Sequence, residues 1–164
     1  MLLTCVTARG DVVLQGSINH ISITVSDLRG ALAFFTPLLE FLGYTSEGII
    51  RDTSSGQELV VHLNMANGTA VNIWQARTEL ADQPFEIYAP GLHHLAFNVE
   101  KHEGVDQVHD LVKSLGATIL DGPGEFPFGP GGYYAVYFLG PDDLKIEVVH
   151  MPLAEQRFRA LSGN

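Results

Sequence analysis

Two stretches of the chain alternate apolar and polar residues in step with each other. In INHISITV (18–25) the apolar set is Ile21, Ile23 and Val25; in HHLAFNV (93–99) it is Leu95, Phe97 and Val99. A period of two marks a strand with one buried face. Superposing them sets His20 on His94, 74 positions later. A helical pattern follows each strand. Ser26 or Asp27 can cap a helix whose apolar residues are Leu28, Leu32, Phe35, Leu38, Leu39 and Leu42. Val105, Val108, Leu111, Val112 and Leu115 form the second such stripe. Both helices stop at Leu-Gly, at Leu42-Gly43 and Leu115-Gly116, where glycine supplies the left-handed cap.

Strand-like runs come next. The first copy has ELVVHL (58–63), a turn at Ala66-Asn67-Gly68, and AVNIWQ (70–75). The second has YYAVYFL (133–139), a turn at Pro141-Asp142-Asp143, and LKIEVVH (144–150). Aligning the turns sets Asn72 on Glu147. The pattern predicts an α+β chain with a βαβββ module at 17–76, a linker at 77–90 and a second module at 91–150. An N-terminal extension (1–16) precedes them, and a tail (151–164) follows as a short helix or frayed end.

Strand parity selects the candidate chemistry. With the apolar sets turned to the helices, the open face carries His20, Ser22 and Thr24 on one first strand and His94, Ala96 and Asn98 on the other. The last strands add Asn72 and Trp74 in one module and Lys145, Glu147 and Val149 in the other. If the modules pair about a pseudo-two-fold, His20, His94 and Glu147 converge. Two imidazoles and a carboxylate suit a divalent metal with positions left open for substrate or water. That donor set accommodates zinc, iron, manganese, nickel or cobalt alike. His93 has the parity of the core set and is expected at the strand's edge.

The hydrophobic share of 46% against 17% charged residues supports a packed core. The formal net charge of −10 disfavours nucleic acid and anionic membranes as partners. No apolar run reaches the roughly 20 residues a membrane span needs, and the first residues lack a signal-peptide pattern. Cys5 is the single cysteine, which excludes internal disulfides and cysteine-built metal sites. A cytoplasmic setting is the expectation.

The segments NHISITVSDL, GLHHLAFNV and VYFLGPDDLKIEVVH resemble the vicinal oxygen chelate superfamily of glyoxalase I, extradiol dioxygenases, fosfomycin-resistance enzymes, methylmalonyl-CoA epimerase and bleomycin-resistance proteins. The last segment is similar to that family's F-x-D-P-D-G-x-x-x-E ending, with Gly140 and Asp143 in place of its aspartate and glycine. The resemblance covers residues 17–150. It implies paired βαβββ modules in a U-shaped, incomplete barrel (the glyoxalase-like fold) and one divalent metal ion. The family's ligand positions fall on His20, Asn72, His94 and Glu147. Asn72 is a poor ligand, which leaves a His-His-Glu set. Tyr137 matches the third-strand tyrosine of extradiol enzymes. Phe128, Gly129 and Pro130 stand where those enzymes carry an acid–base histidine, and no basic cluster for a phosphonate is evident.

The implied function is metal-dependent lyase/isomerase or dioxygenase chemistry on a small substrate with vicinal oxygens. His20, His94 and Glu147 would hold the metal, and Glu147 or Tyr137 would assist proton transfer. Asn72, Trp74, Thr24 and Asn98 would line the substrate. The alternative is a metal-free binding protein of the bleomycin-resistance type that sequesters a small planar ligand. Symmetry favours a homodimer. Phe126 and Phe138 are expected in the core. The Gly- and Pro-rich segment 122–134 reads as a lid or connecting loop.

Overall fold

The computed structural model of the protein describes residues 17–83, 85–128 and 131–152. The predicted extension with Cys5, and the tail from Leu153 onward, lie outside the described residues. In order, the elements are β1 (His20–Val25), α1 (Leu28–Phe41), β2 (Ile49–Arg51), β3 (Glu58–Asn64), β4 (Thr69–Gln75), β5 (Leu95–Asn98), α2 (His102–Ser114), β6 (Thr118–Glu125), β7 (Tyr134–Leu139) and β8 (Lys145–His150). Two sheets result, ordered β1-β4-β3-β2 and β5-β8-β7-β6. This is the expected α+β fold of two tandem βαβββ modules.

Local chemistry sets the boundaries. The Asp27 carboxylate accepts from the Arg29 amide and caps α1. Both helices end on a glycine with positive φ, Gly43 at 84° and Gly116 at 85°. The two modules also match in register. Ser22 pairs with Asn72 across parallel β1 and β4, and Ala96 pairs with Glu147 across parallel β5 and β8. The first strand of each meander had no period to betray it. All three residues of β2 are exposed. β6 runs through Asp121-Gly122-Pro123-Gly124 with register shifts against β7. Residues 122–125 are therefore strand, and the expected loop shortens to 126–133.

One core serves both modules. Leu28, Phe34, Phe35, Leu38 and Leu39 of α1 share a cluster with Val105, Val108 and Val112 of α2 and with the helix-facing residues of both sheets. Phe34 packs 6.2 Å from Phe138 of β7. The Ser26 amide donates to Asp142 Oδ2 (2.8 Å), tying the start of α1 to the β7–β8 turn. Each large apolar side chain so buried contributes roughly 1.5–3 kcal/mol. The helix-facing residues of both sheets thus share one apolar core with α1 and α2. Among the described residues, no helix is long and apolar enough to cross a membrane.

A histidine sits inside this core. His62 in β3 is fully buried, its Nε2 is 3.5 Å from Thr36 Oγ1, and its Nδ1 has no hydrogen-bond partner among the described residues. Burial lowers its pKa, against an opposing pull from Glu40. The folded chain thus keeps His62 neutral where the unfolded chain has already taken up the proton. Stability is therefore retained above the unfolded value near 6.5 and falls as pH drops below it, with a slope of up to about 1.4 kcal/mol per pH unit. Urea denaturation from pH 8 to 5 should show this loss, and His62→Leu should remove it. A wild-type midpoint that stays flat across that window refutes the assignment.

Candidate functional site

The strongest polar constellation lies on the open face of the second sheet. Glu147 sits in the middle of β8 because Ile146 and Val148 on either side of it are fully buried against the helices. Its own side chain points the other way yet is only 2% exposed. His94, one residue before β5, brings Nε2 to 3.1 Å from Glu147 Oε2. The Tyr133 hydroxyl donates to Glu147 Oε1. Tyr137 stands directly across from Glu147 in β7. Its hydroxyl lies within hydrogen-bonding reach of both Glu147 and Tyr133. Burial first, then the bond to Glu147, pushes the Tyr133 hydroxyl up to about 12. Burial likewise raises Tyr137 well above the ordinary tyrosine range, helped by its bonds to Glu147 and Tyr133. Both phenols therefore stay protonated donors at neutral pH.

Aromatic rings cover this group. Phe126 lies edge-on to Tyr137 at 5.2 Å and parallel to Phe128 at 5.9 Å. Phe128 meets Tyr133 edge-on at 5.6 Å. The Lys145 ammonium sits 5.0 Å from the Tyr137 ring centre. Phe138 is core as expected, at 0% exposure. Phe126 is not: it leaves β6 on the open-face side and becomes part of the wall. His93 is exposed, and its Nδ1 lies 2.7 Å from His94 Nδ1. It braces the neighbouring ring from outside, in keeping with its expected edge position.

The remaining predicted residues are on the other sheet. His20 is exposed, with Nδ1 2.8 Å from Asn19 Oδ1. Thr24, Asn72 and Trp74 share its face of the first sheet. Asn72 donates from Nδ2 to Ser22 Oγ at 3.2 Å, while its Oδ1 is buried with no partner among the described residues. Asn98 belongs to the Glu147 sheet and is exposed near the end of β5. The structure thus brings together His94, Glu147 and Tyr137. It does not bring His20 to them, and among the described residues no three His, Cys, Asp or Glu side chains gather around one point.

Two features escaped the sequence. Tyr133 lies just outside β7, where strand parity is not assured. It nonetheless stands four positions before Tyr137, and continuing the alternation of β7 backwards would have found it. The arginines also gather after all. Arg29, Arg51 and Arg77 line a cleft of about 760 Å³. Its lining residues all belong to the first module or the linker, and Glu58 already pairs with Arg29 and Arg51. It is therefore not a phosphonate pocket beside Glu147.

Residues 17–148 match the model of the Glyoxalase/Bleomycin resistance protein/Dioxygenase superfamily. An uncharacterized Bacillus subtilis protein, YqjT, is 31% identical over 132 residues, spanning 80% of this chain and 96% of its own. A putative glyoxalase from Bacillus halodurans superposes with a TM-score of 0.69 at 29% identity, covering 86% of this chain and all of its own. FosX, a fosfomycin resistance protein from Listeria monocytogenes, has been solved with Mn(II) and 1S,2S-dihydroxypropylphosphonic acid. It gives a TM-score of 0.60 at 23% identity over 87% of this chain and 98% of its own, a likeness of fold. The duplicated βαβββ modules, the equivalence of Asn72 with Glu147 and the match across residues 17–148 lead to one conclusion: the chain belongs to the Glyoxalase/Bleomycin resistance protein/Dioxygenase superfamily.

Proposed function

We propose that the protein is a divalent-metal-dependent enzyme acting on a small substrate with two neighbouring oxygens, by lyase/isomerase or dioxygenase chemistry. The observation that carries this reading is the buried Glu147 with His94 Nε2 3.1 Å from its Oε2. An imidazole nitrogen and a carboxylate oxygen at that spacing can both contact one cation, and each is a donor of the right kind. Superfamily members such as FosX, solved with Mn(II), support a divalent ion in general.

The third donor in this reading is His20 of the partner subunit. Among the described residues His20 does not join His94 and Glu147 within one chain, so this reading calls for a homodimer that sets the first sheet of one copy over the second sheet of the other. The same docking would bring Asn72, Trp74 and Thr24 of the first sheet to the substrate. The unpartnered Asn72 Oδ1 gains a role there, because a buried carbonyl without a donor is costly unless something else supplies one.

The bound cation would supply Lewis acidity, polarising the substrate's two oxygens and steadying negative charge that develops on them. The chain's own residues do the rest. Tyr137, held protonated, offers a proton or hydrogen bond to a substrate oxygen. Phe126, Phe128 and Tyr133 keep water from Glu147. Asn98 stands at the exposed margin of the same face, where it can orient a polar substrate group. A second reading, a metal-free protein that sequesters a small planar ligand, is favoured by the aromatic wall and by the direct contact of His94 with Glu147.

Metal uptake separates the two. Dialysed wild type should take up about one Mn(II) per chain, and His94→Ala and His20→Ala should each take up none. Mixing His20→Ala with Glu147→Gln by refolding should restore about one quarter of full uptake. Random pairing makes half the dimers mixed, each with one intact site of two. No uptake by wild type sinks the enzyme reading and leaves the binder. Uptake by wild type without recovery in the mixture sinks the shared site.

A further inference from the structure

The two oxygens of Glu147 keep different company. Oε1 accepts from the Tyr133 hydroxyl. Oε2 is the atom 3.1 Å from His94 Nε2. With the side chain 2% exposed, bulk water does not compete for either. A carboxylate can meet a cation with one oxygen or with both, and a hydrogen bond to one oxygen from outside biases that choice.

We propose that Tyr133 is a positioning residue that fixes Glu147 as a one-oxygen ligand, by occupying Oε1 and leaving Oε2 alone to face the cation beside His94. The inference rests on the metal reading above and adds to it. Three separate contacts hold Tyr133 for this task. Its hydroxyl is committed to Glu147. Its ring is set edge-on against Phe128 at 5.6 Å. Its carbonyl accepts from the Phe126 amide at 2.8 Å, closing the 126–133 loop at its root. Tyr137 is placed differently. It comes from mid-strand, directly across from Glu147, and its hydroxyl interacts with Tyr133 as well as with Glu147.

The arrangement bears on which substrates fit. A carboxylate that binds through both oxygens fills a coordination position that a substrate with two neighbouring oxygens would otherwise take. Holding Oε1 back keeps that position open. Tyr133 thereby favours ligands that chelate through two oxygens over those that bind through one.

The test uses Co(II) as the probe, because its visible absorption weakens as the coordination number rises. Tyr133→Phe keeps the ring and loses the hydroxyl. It should still take up Co(II), with the visible band reduced at least about twofold and affinity changed on the order of tenfold. Tyr134→Phe is the control. It loses a 2.8 Å bond to Asp106 on the helix side of the sheet and should leave the spectrum unchanged. A Tyr133→Phe spectrum identical to wild type overturns the proposal while leaving the metal reading intact. No Co(II) uptake by wild type overturns both. Should Tyr133→Phe not fold, infrared difference spectra of metal loading in wild type with labelled glutamate decide alone. A wide splitting of the carboxylate stretches supports one-oxygen binding, and a narrow splitting refutes it.

Discussion

Glu147→Gln should abolish metal uptake and leave the protein at least as stable as before. The two halves of this result come from the same burial. As a ligand, Glu147 offers a full negative charge at 2% exposure, where little solvent screens it. The amide of glutamine is nearly isosteric but neutral, so affinity for a divalent cation should fall by more than about 100-fold, beyond the range seen when an outer partner of a ligand is lost. In the metal-free chain the sign reverses. A buried carboxylate pays for its desolvation, and hydrogen bonds from Tyr133 and the contact with His94 offset that only in part. A neutral side chain of the same shape avoids the penalty. Metal titration and thermal unfolding of the apo proteins check the two signs separately. A variant that binds metal normally refutes the ligand role. A large fall in apo stability refutes the reading of Glu147 as kept for function at the fold's expense.

Gly122→Ala should cost about 3 kcal/mol or more, because the added methyl group meets backbone. Gly122 has φ of 81°, a region that an L side chain enters at a cost of about 1–2 kcal/mol. A Cβ placed there would stand 2.3 Å from the Ala135 carbonyl oxygen and 3.1 Å from Val136 Cα, both backbone atoms of β7. Backbone of a paired strand cannot swing aside, so β6 and β7 must separate, which adds about 1–3 kcal/mol of strain. Gly124, two residues on in the same strand, has nothing within 4 Å of the equivalent point. Gly124→Ala is therefore the matched control, expected within about 0.5 kcal/mol of wild type. Denaturant midpoints for the pair decide the matter, and equal losses would show that the close approach does not matter. Because β6 leads into the 126–133 loop, Gly122→Ala should also loosen Phe126, Phe128 and Tyr133 over Glu147.

Periodicity carried the repeat, and the repeat carried most of the fold. Both helices, their glycine stops and the strands β1, β3, β4, β5, β7 and β8 follow from alternation and helical spacing. β2 and β6 were out of reach for opposite reasons. β2 has three exposed residues and no buried face to impose a pattern. β6 carries turn-forming residues because its irregular pairing needs them. At the site, parity sufficed for His94 and Glu147, since parallel β5 and β8 keep them on one face. The relation between modules was not legible. A βαβββ sequence has the same apolar pattern however its two sheets are set against each other. The packing of Phe34 on Phe138 and the Ser26–Asp142 bond, which join the modules, leave no signal in that pattern. Nor does the pattern show that His20 stays away from Glu147 in the single chain.

The shared core between α1 and α2 also bears on where such a chain can have come from. A half-length ancestor carrying one module would have exposed the helix and sheet residues that now cover the other half, an apolar surface too large to leave in water. Such a chain could persist only in pairs. Joining both modules in one chain makes that contact intramolecular. It also lets equivalent positions differ, so that one half carries the charged Glu147 and the other the neutral Asn72.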